Sequence, residues 1–152
     1  IWTARRQRPD EAEVVTAATL LKAARKPFVI VGGGVLYSEA ETELLAFCER
    51  HGIPAGETQG GKSALPSGNR LNLGAIGVTG TAAANAMAAE ADVVLAVGTR
   101  LQDFTTGSWA LFANPECRIV GLNVQAFDAG KHRAQALVCD ARAGLAELTA
   151  AL

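Results

Sequence analysis

Gly56, Gly61, Lys62 and Ser63 form a spacing that is typical of phosphate binding. They match the pattern G-x-x-x-x-G-K-S, in which backbone N–H groups surround phosphates and the lysine neutralises them. A working loop of this kind needs a helix that begins at the lysine, so that the first amides face the phosphates. Pro66 follows three residues after the serine and would break such a helix in its first turn. We therefore expect a flexible loop with a solvated lysine, and a P-loop phosphotransferase stays the less favoured alternative.

A second glycine cluster, residues 32–34, lies between a predicted strand and a predicted helix, which is the context of a dinucleotide-binding turn. The fingerprint G-x-G-x-x-G would require a glycine at the position of Tyr37. Glu57, near the end of the next predicted strand, is 25 residues after Gly32 and fits the expected ribose-binding acid only loosely. The sequence favours a tight turn after a buried strand over NAD binding.

The sequence contains no arrangement of side chains that is typical of a catalytic or metal centre. His51 and His132 have no cysteine or carboxylate at metal-ligand spacing around them. Ser63, Ser67 and Ser108 lie outside the G-x-S-x-G pattern of a nucleophilic serine. We therefore predict no catalytic residue and no metal ligand in this sequence.

Helical and strand patterns alternate along the chain and predict how these residues are positioned. Asp10 is expected to cap a helix that runs to about Lys26, and Ser38 with Glu41 forms a capping box before a helix that ends at Gly52. Glycines between residues 74 and 80 precede an alanine-rich helix, residues 123–131 form a turn or short helix, and Asp140 caps the last helix. The predicted strands are 28–31, 53–55, 92–97, 118–122 and 136–139, with a long loop at 56–73.

This alternation predicts an α/β fold: a doubly wound, Rossmann-like parallel sheet of five to six strands with helices on both faces. We expect residues 10–152 to form a single domain and residues 1–9, which end in Pro9, to be a linker from a preceding domain. The opening Ile-Trp without an initiator methionine suggests an excised domain. The basic cluster from Arg5 to Arg8 is expected to be solvated.

Composition narrows the choice of partners. A formal net charge of −1 gives no reason to expect nucleic acid or an anionic membrane, and the sequence has no apolar run of the roughly 20 residues that a membrane helix needs. Cys48, Cys117 and Cys139 form no C-x-x-C pair, which favours a reducing compartment and small buried side chains. We expect a cytoplasmic protein.

Several segments, taken together and in order, resemble the central domain of thiamine-diphosphate-dependent enzymes, the acetohydroxyacid synthase and pyruvate decarboxylase group. They are residues 26–34, 74–77, 91–100 and 118–125, followed by 130–131 and Asp140. Residues 57–59, 61–66 and 101–109 are similar to the trihydroxycyclohexanedione hydrolases of inositol catabolism. The resemblance implies a fold of the DHS-like NAD/FAD-binding type.

The resemblance also implies a function for a longer parent enzyme, which would open a cyclic dione with thiamine diphosphate and magnesium. Flanking pyrimidine- and diphosphate-binding domains of the same chain would hold both groups, and the G-D-G motif of the second is absent from this sequence. The central domain would be a structural module within a homo-oligomer, a dimer or tetramer. An acetohydroxyacid synthase-like carboligase and a free-standing FAD-, ADP- or NAD-binding module are the alternatives.

Some relatives bind FAD or ADP in this domain. Asn123 and Gln125 stand here in place of two usual acids, which removes strong acceptors for ribose hydroxyls. The resemblance therefore implies a vestigial nucleotide site, with no cofactor expected and FAD or ADP less favoured. The matching positions are Gly32, Gly33, Gly98, Thr99, Arg100 and Asn123.

Three aromatic residues near the third predicted strand, Phe104, Trp109 and Phe112, allow two interpretations. They could anchor an interface with a neighbouring domain or subunit, or they could pack locally in the core.

Overall fold

The computed structural model describes residues 5–152 and contains six strands and seven α-helices in these residues. The strands are β1 (Pro27–Val31), β2 (Ala55–Glu57), β3 (Asn72–Ala75), β4 (Val93–Val97), β5 (Arg118–Asn123) and β6 (Gln135–Val138). The helices are α1 (Glu11–Ala23), α2 (Gly33–Tyr37), α3 (Glu41–His51), α4 (Ala82–Glu90), α5 (Asp103–Thr106), α6 (Ala126–Ala129) and α7 (Ala141–Ala151). None of the described helices is long and apolar enough to cross a membrane.

The six strands form one parallel sheet in the order β3-β2-β1-β4-β5-β6. Strand β1 pairs on one side with β2 and on the other with β4, so the order of the strands reverses there. In such a sheet, ligands bind at the carboxyl ends of the two strands where the order reverses. The predicted doubly wound α/β fold is confirmed, with β3 as the sixth strand.

Side chains of β1 alternate between two buried layers, as the two-residue period of a strand requires. Val29 and Val31 belong to the core layer that also contains buried residues of α1, α3 and α7. Phe28 and Ile30 face the opposite layer with buried alanines of α4. Helices therefore cover both faces of the sheet. The loops at the carboxyl ends of the strands are the part of the sheet where a site can form.

Two helix starts agree with their predicted caps. Asp10 accepts from the N–H of Ala12 at the start of α1, and Asp140 accepts from the N–H groups of Arg142 and Ala143 at the start of α7. Each carboxylate satisfies N–H groups that lack intrahelical partners, so both caps stabilise their helices.

The predicted capping box at Ser38 is wrong. Ser38 ends the short helix α2, and its N–H donates to the carbonyl of Gly34. Its hydroxyl lies 3.4 Å from the N–H of Ala141 at the start of α7. Glu39 follows with a φ of 51°, and α3 begins only after Ala40.

The predicted end of the first helix, at Lys26, is also wrong. The helix stops at Ala23 because the N–H groups of Arg25 and Lys26 donate to the carboxylate of Asp92, at 2.7 and 2.9 Å. This contact turns the chain toward β1 at the amino end of the sheet.

The second strand lies two residues later than predicted, and the predicted loop 56–73 contains the end of β2 and the start of β3. Pro54 has no N–H to donate, and its carbonyl accepts from Val29 before regular pairing starts at Ala55. β3 is a short strand at the edge of the sheet with an irregular register against β2.

The described part of the predicted linker, residues 5–9, contacts the domain. Arg6 donates to the carbonyl of Ser38 at 2.6 Å and to the carboxylate of Asp140 at 3.2 Å. Arg8 pairs with Glu147. Residues 5–8 are exposed, as expected for the basic cluster, although the Arg6 side chain is held by these contacts and is about one third exposed.

Candidate functional site

A cleft of about 460 Å³ lies at the carboxyl ends of β1, β4 and β5. It coincides with the place where the strand order reverses, and its size is within the usual range for small-molecule sites. Five of the six positions predicted for a nucleotide line it: Gly33, Gly98, Thr99, Arg100 and Asn123. The sixth, Gly32, is buried behind the wall, and its N–H donates to the carbonyl of Val97 at 2.8 Å.

Glycine backbones form the floor of this cleft. The N–H of Gly34 donates to the carbonyl of Gly98 at 3.0 Å. A Cβ atom on Gly32 would lie 2.3 Å from the Gly98 oxygen, and Gly98 itself has a φ of 61°. The glycines therefore allow the loops after β1 and β4 to touch each other directly.

Both ends of the Asn123 side-chain amide make a hydrogen bond within the domain. Its Nδ2 atom donates to the carbonyl of Thr99 at 3.2 Å, and its Oδ1 atom accepts from the N–H of Gln125 at 3.0 Å. The two partners fix the orientation of the amide, because a carbonyl can only accept and an N–H can only donate. An ionised aspartate could not donate to the carbonyl of Thr99. The asparagine that replaces the usual acid therefore adds a bond between the two loops.

The open part of the cleft has both polar and aromatic walls. Arg100 is exposed, and its side chain has no ion-pair partner within residues 5–152. Its carbonyl accepts from the ammonium of Lys131 at 3.1 Å. Tyr37, at the end of α2, and Phe104, in α5, also line the cleft and are exposed over 90% and 46% of their surfaces. These groups could contact an anionic planar molecule from outside.

The phosphate-loop pattern does not form a phosphate-binding loop. No helix begins at Lys62, and Ser63 has a φ of 77°. Gly61 packs against the carbonyl of Val31, only 2.1 Å from where a Cβ would stand, and Thr58 accepts its N–H. The prediction that this segment lacks the required helix is confirmed.

Glu57, the loose candidate for a ribose-binding acid, is buried and holds the following loop. Its Oε1 atom accepts from the N–H of Leu65 at 3.0 Å. It lines a separate cleft of about 370 Å³, together with Lys62. Glu57 therefore anchors the following loop at Leu65 and does not line the cleft that contains Asn123.

The remaining reactive side chains are scattered. Burial, with a smaller effect from Arg50, lowers the pKa of His51 at the end of α3, and the His132 ring stacks on Trp109 with centroids 3.8 Å apart. Burial raises the pKa of Cys48 and Cys139 to about 12 and that of Cys117 to about 11, so these thiols are weak nucleophiles at neutral pH. Within residues 5–152, no three side chains of the types that bind metals come together.

The aromatic residues divide between the two interpretations. The ring of Trp109 packs edge-on against Phe112 at 4.9 Å and on His132, so these residues pack locally. Phe104 is open to solvent at the cleft.

Sequence reasoning missed the second wall of the cleft, formed by Thr58, Gln59 and Gly60. Thr58 and Gln59 belong to a segment that resembles the trihydroxycyclohexanedione hydrolases. Their position at the cleft could not be predicted, because it depends on the pairing of β2 with β1. The position of Tyr37 was also missed, because the short helix α2 was not predicted.

Comparison with known proteins gives a consistent result. The family model described as "Thiamine pyrophosphate enzyme, central domain" matches residues 14–148. A 3D-(3,5/4)-trihydroxycyclohexane-1,2-dione hydrolase from Bacillus cereus is 48% identical over 143 residues, which cover 94% of this chain and 22% of the relative. A protein of the same name from Bacillus anthracis is 47% identical, with the same coverage.

A solved structure from Mycobacterium smegmatis, provisionally assigned as a thiamin diphosphate-dependent enzyme, has the same fold. The TM-score is 0.81 at 20% sequence identity, and the match covers all of this chain and 30% of that one. The chain thus spans about a fifth of the length of the curated relatives it matches.

Proposed function

This chain belongs to the thiamine pyrophosphate enzyme central-domain family, and we propose from that premise that it is the central module of a C–C bond hydrolase. The parent enzyme would open a cyclic dione in inositol catabolism and would depend on thiamine diphosphate and magnesium. The identity of 48% over 94% of the chain with a trihydroxycyclohexanedione hydrolase carries this proposal.

We propose that thiamine diphosphate and its magnesium ion are held outside this domain, as the family resemblance implies. Within residues 5–152, no three side chains of the types that bind metals come together. Glu57, a buried carboxylate that lines the smaller cleft, already accepts a backbone N–H. We assign the cofactor to the flanking pyrimidine- and diphosphate-binding domains of the same chain. In this proposal, no residue of the central domain takes part in a step of the reaction.

The proposed task of residues 10–152 is to hold those two domains in position and to contribute to a homo-oligomer, a dimer or tetramer. Residues 1–9 would link the domain to the one before it. The described part of that linker supports this arrangement, since Arg6 contacts both Ser38 and Asp140 and so fixes how the chain enters the domain. The parent enzyme is expected in the cytoplasm.

We further propose that the cleft is a vestigial nucleotide site. The side chain of Asn123 is hydrogen-bonded to Thr99 and Gln125. The backbone contact between Gly34 and Gly98 forms the floor of the cleft. FAD or ADP remains the second candidate, favoured by the exposed guanidinium of Arg100 and the exposed ring of Tyr37 at the same cleft. Analysis of nucleotides released from the purified full-length protein by denaturation separates the two: we expect none at stoichiometric amount.

Steady-state turnover of the full-length enzyme tests the proposed function. We expect ring opening of 3D-(3,5/4)-trihydroxycyclohexane-1,2-dione that requires both thiamine diphosphate and magnesium. Carboligation of pyruvate without ring opening would instead support an acetohydroxyacid synthase-like enzyme. Stoichiometric FAD, ADP or NAD on a chain without flanking domains would support a free-standing nucleotide-binding module.

A further inference from the structure

Exposed apolar side chains are concentrated at one edge of this domain. Among residues 5–152, seven large hydrophobic side chains are exposed, and five of them follow the carboxyl ends of strands. We call these five the apolar rim: Tyr37, Val78, Phe104, Val124 and Phe127. The other two, Val15 and Trp109, lie on α1 and in the segment between α5 and β5.

The members of the apolar rim lie at the cleft or next to it. Tyr37, Phe104 and Val124 line it directly. The N–H of Val78 donates to the carbonyl of Phe104 at 3.0 Å, which holds the loop after β3 against the loop after β4. Phe127 lies on α6 beside Asp128, which also lines the cleft. The rim residues therefore lie in the walls of the cleft or directly beside residues that line it.

Such exposure is unusual for a surface that remains in water. Tyr37 is exposed over 90% of its surface and Phe127 over 80%, although aromatic side chains gain most from burial, at roughly 25 cal/mol per Å² of apolar surface. Large apolar side chains that are exposed together at a cleft are typical of contact sites. The apolar rim is therefore suited to burial against another folded unit.

The path of the chain points to which unit this is. The carbonyl of Gln7 accepts from the N–H of Asp140, just after the carboxyl end of β6, and Arg6 is held at Ser38. Arg5 lines the same small cavity of about 220 Å³ as Tyr37. Residue 5, the first described residue, therefore lies at the carboxyl edge of the sheet, next to Tyr37 of the apolar rim.

We propose that the apolar rim is the docking surface of the domain that precedes residue 5 in the same polypeptide. The inference rests on the proposed function in one respect: it requires the multidomain chain that is indicated by relatives about four to five times as long as this segment. The preceding domain would present apolar side chains to Tyr37 and Phe127 and would cover the cleft from above.

Site-specific photo-crosslinking in the full-length enzyme tests this assignment. The full-length chain is made with p-benzoyl-phenylalanine in place of Tyr37, irradiated and digested, and the crosslinked peptide is identified by mass spectrometry. We expect a crosslink within one chain to a peptide that precedes residue 5. The matched control carries the same group in place of Val15, which is 59% exposed and lies outside the rim, and should give no crosslink to that domain.

A crosslink from position 37 to a following domain or to a second copy of the chain would overturn the proposal, and so would the absence of any crosslink. Hydroxyl-radical footprinting of the unmodified enzyme provides a measurement that needs no variant. We expect Tyr37 and Phe127 to be oxidised at least fivefold more slowly in the native enzyme than after unfolding. Equal rates in both states would contradict docking.

These results are independent of the turnover assay. An enzyme that fails to open the dione but gives the expected crosslink would disprove only the proposed reaction. An enzyme that opens the dione but leaves Tyr37 reactive would disprove only the docking surface.

Discussion

The side-chain amide of Asn123 donates to the carbonyl of Thr99 at 3.2 Å and thereby joins the end of β5 to the loop after β4. The same side chain accepts from the N–H of Gln125. Both loops border the cleft where the strand order reverses. Asn123 lies where relatives can bind a nucleotide, but in this protein its side chain holds the two loops together.

We predict that Asn123→Asp destabilises the protein. The substitution removes the donor to Thr99 and places a carboxylate oxygen against a carbonyl at a site that is only 9% exposed. The expected loss is about 1–3 kcal/mol, as for a buried polar group that loses its partner. Urea unfolding of the full-length enzyme, monitored in this domain by hydrogen exchange, measures it. Gln125→Glu, at an exposed neighbouring position, is the matched control and should change little.

Substitution of Gly98 by alanine should be much more damaging than the same substitution at Gly68. Gly98 has a φ of 61°, and an added Cβ would lie 2.6 Å from the Cα of Gly34. Left-handed strain and overpacking together predict a loss of about 3 kcal/mol or more. Gly68 has nothing within 4 Å of an added Cβ, so Gly68→Ala should be neutral or slightly stabilising. Similar losses of stability for the two variants would contradict the close contact of the two loops.

The phosphate-loop pattern should have no affinity for ATP. Without a helix at Lys62, no row of amides is available for phosphates. Isothermal titration of the full-length enzyme with Mg-ATP is expected to show no binding at millimolar concentration, both before and after Lys62→Ala. Binding that disappears in the Lys62→Ala variant would show that this interpretation is wrong.

Asp92 should stabilise the domain in a pH-dependent manner. Burial by itself raises the pKa of this carboxyl, but the N–H groups of Arg25 and Lys26, with those of Asp92 and Val93, together hold the pKa below its ordinary value of 3.8. A lowered pKa stabilises the folded state above the unfolded value, and this contribution disappears as the pH falls through the folded value. Asp92→Asn places an amide group opposite one of the two donors.

The difference in unfolding free energy between the wild type and Asp92→Asn should therefore be about 1–3 kcal/mol at pH 7 and should shrink below pH 3.8. Denaturant titrations at a series of pH values check this. Glu90→Gln is the control, because Glu90 pairs with Lys26 on the surface and its loss should have little effect. A difference that does not depend on pH would contradict the role of the charged carboxylate.

Local signals in the sequence were sufficient for most of the fold. Continuous apolar runs indicated β1, β4 and β5 within one or two residues, and Asp10 and Asp140 marked helix starts because a cap acts on neighbouring N–H groups. The elements that were missed depend on distant partners. The end of α1 is set by Asp92, which is 67 residues from Arg25, and β3 depends on pairing with β2.

The candidate site shows the same division. The glycine positions and Thr99, Arg100 and Asn123 were predicted from a family resemblance, and five of the six do line one cleft. The hydrogen bond from Asn123 to Thr99 could not be predicted, since it joins two loops 24 residues apart that come together only in the folded sheet. The bond from Leu65 to Glu57 depends on how the loop after β2 folds back. Through these bonds, the side chains of Asn123 and Glu57 stabilise the loops that follow the strands.

Turnover of the full-length Glu57→Gln enzyme tests most directly the central claim that this domain supports the reaction without performing it. Glu57 is buried beside a cleft, and glutamine keeps an oxygen that can accept from Leu65. We predict a kcat for ring opening within about twofold of the wild type and an unchanged affinity for thiamine diphosphate. A kcat at least 100-fold lower, in a variant with unchanged thermal stability, would show that a side chain of this domain takes part in the chemistry.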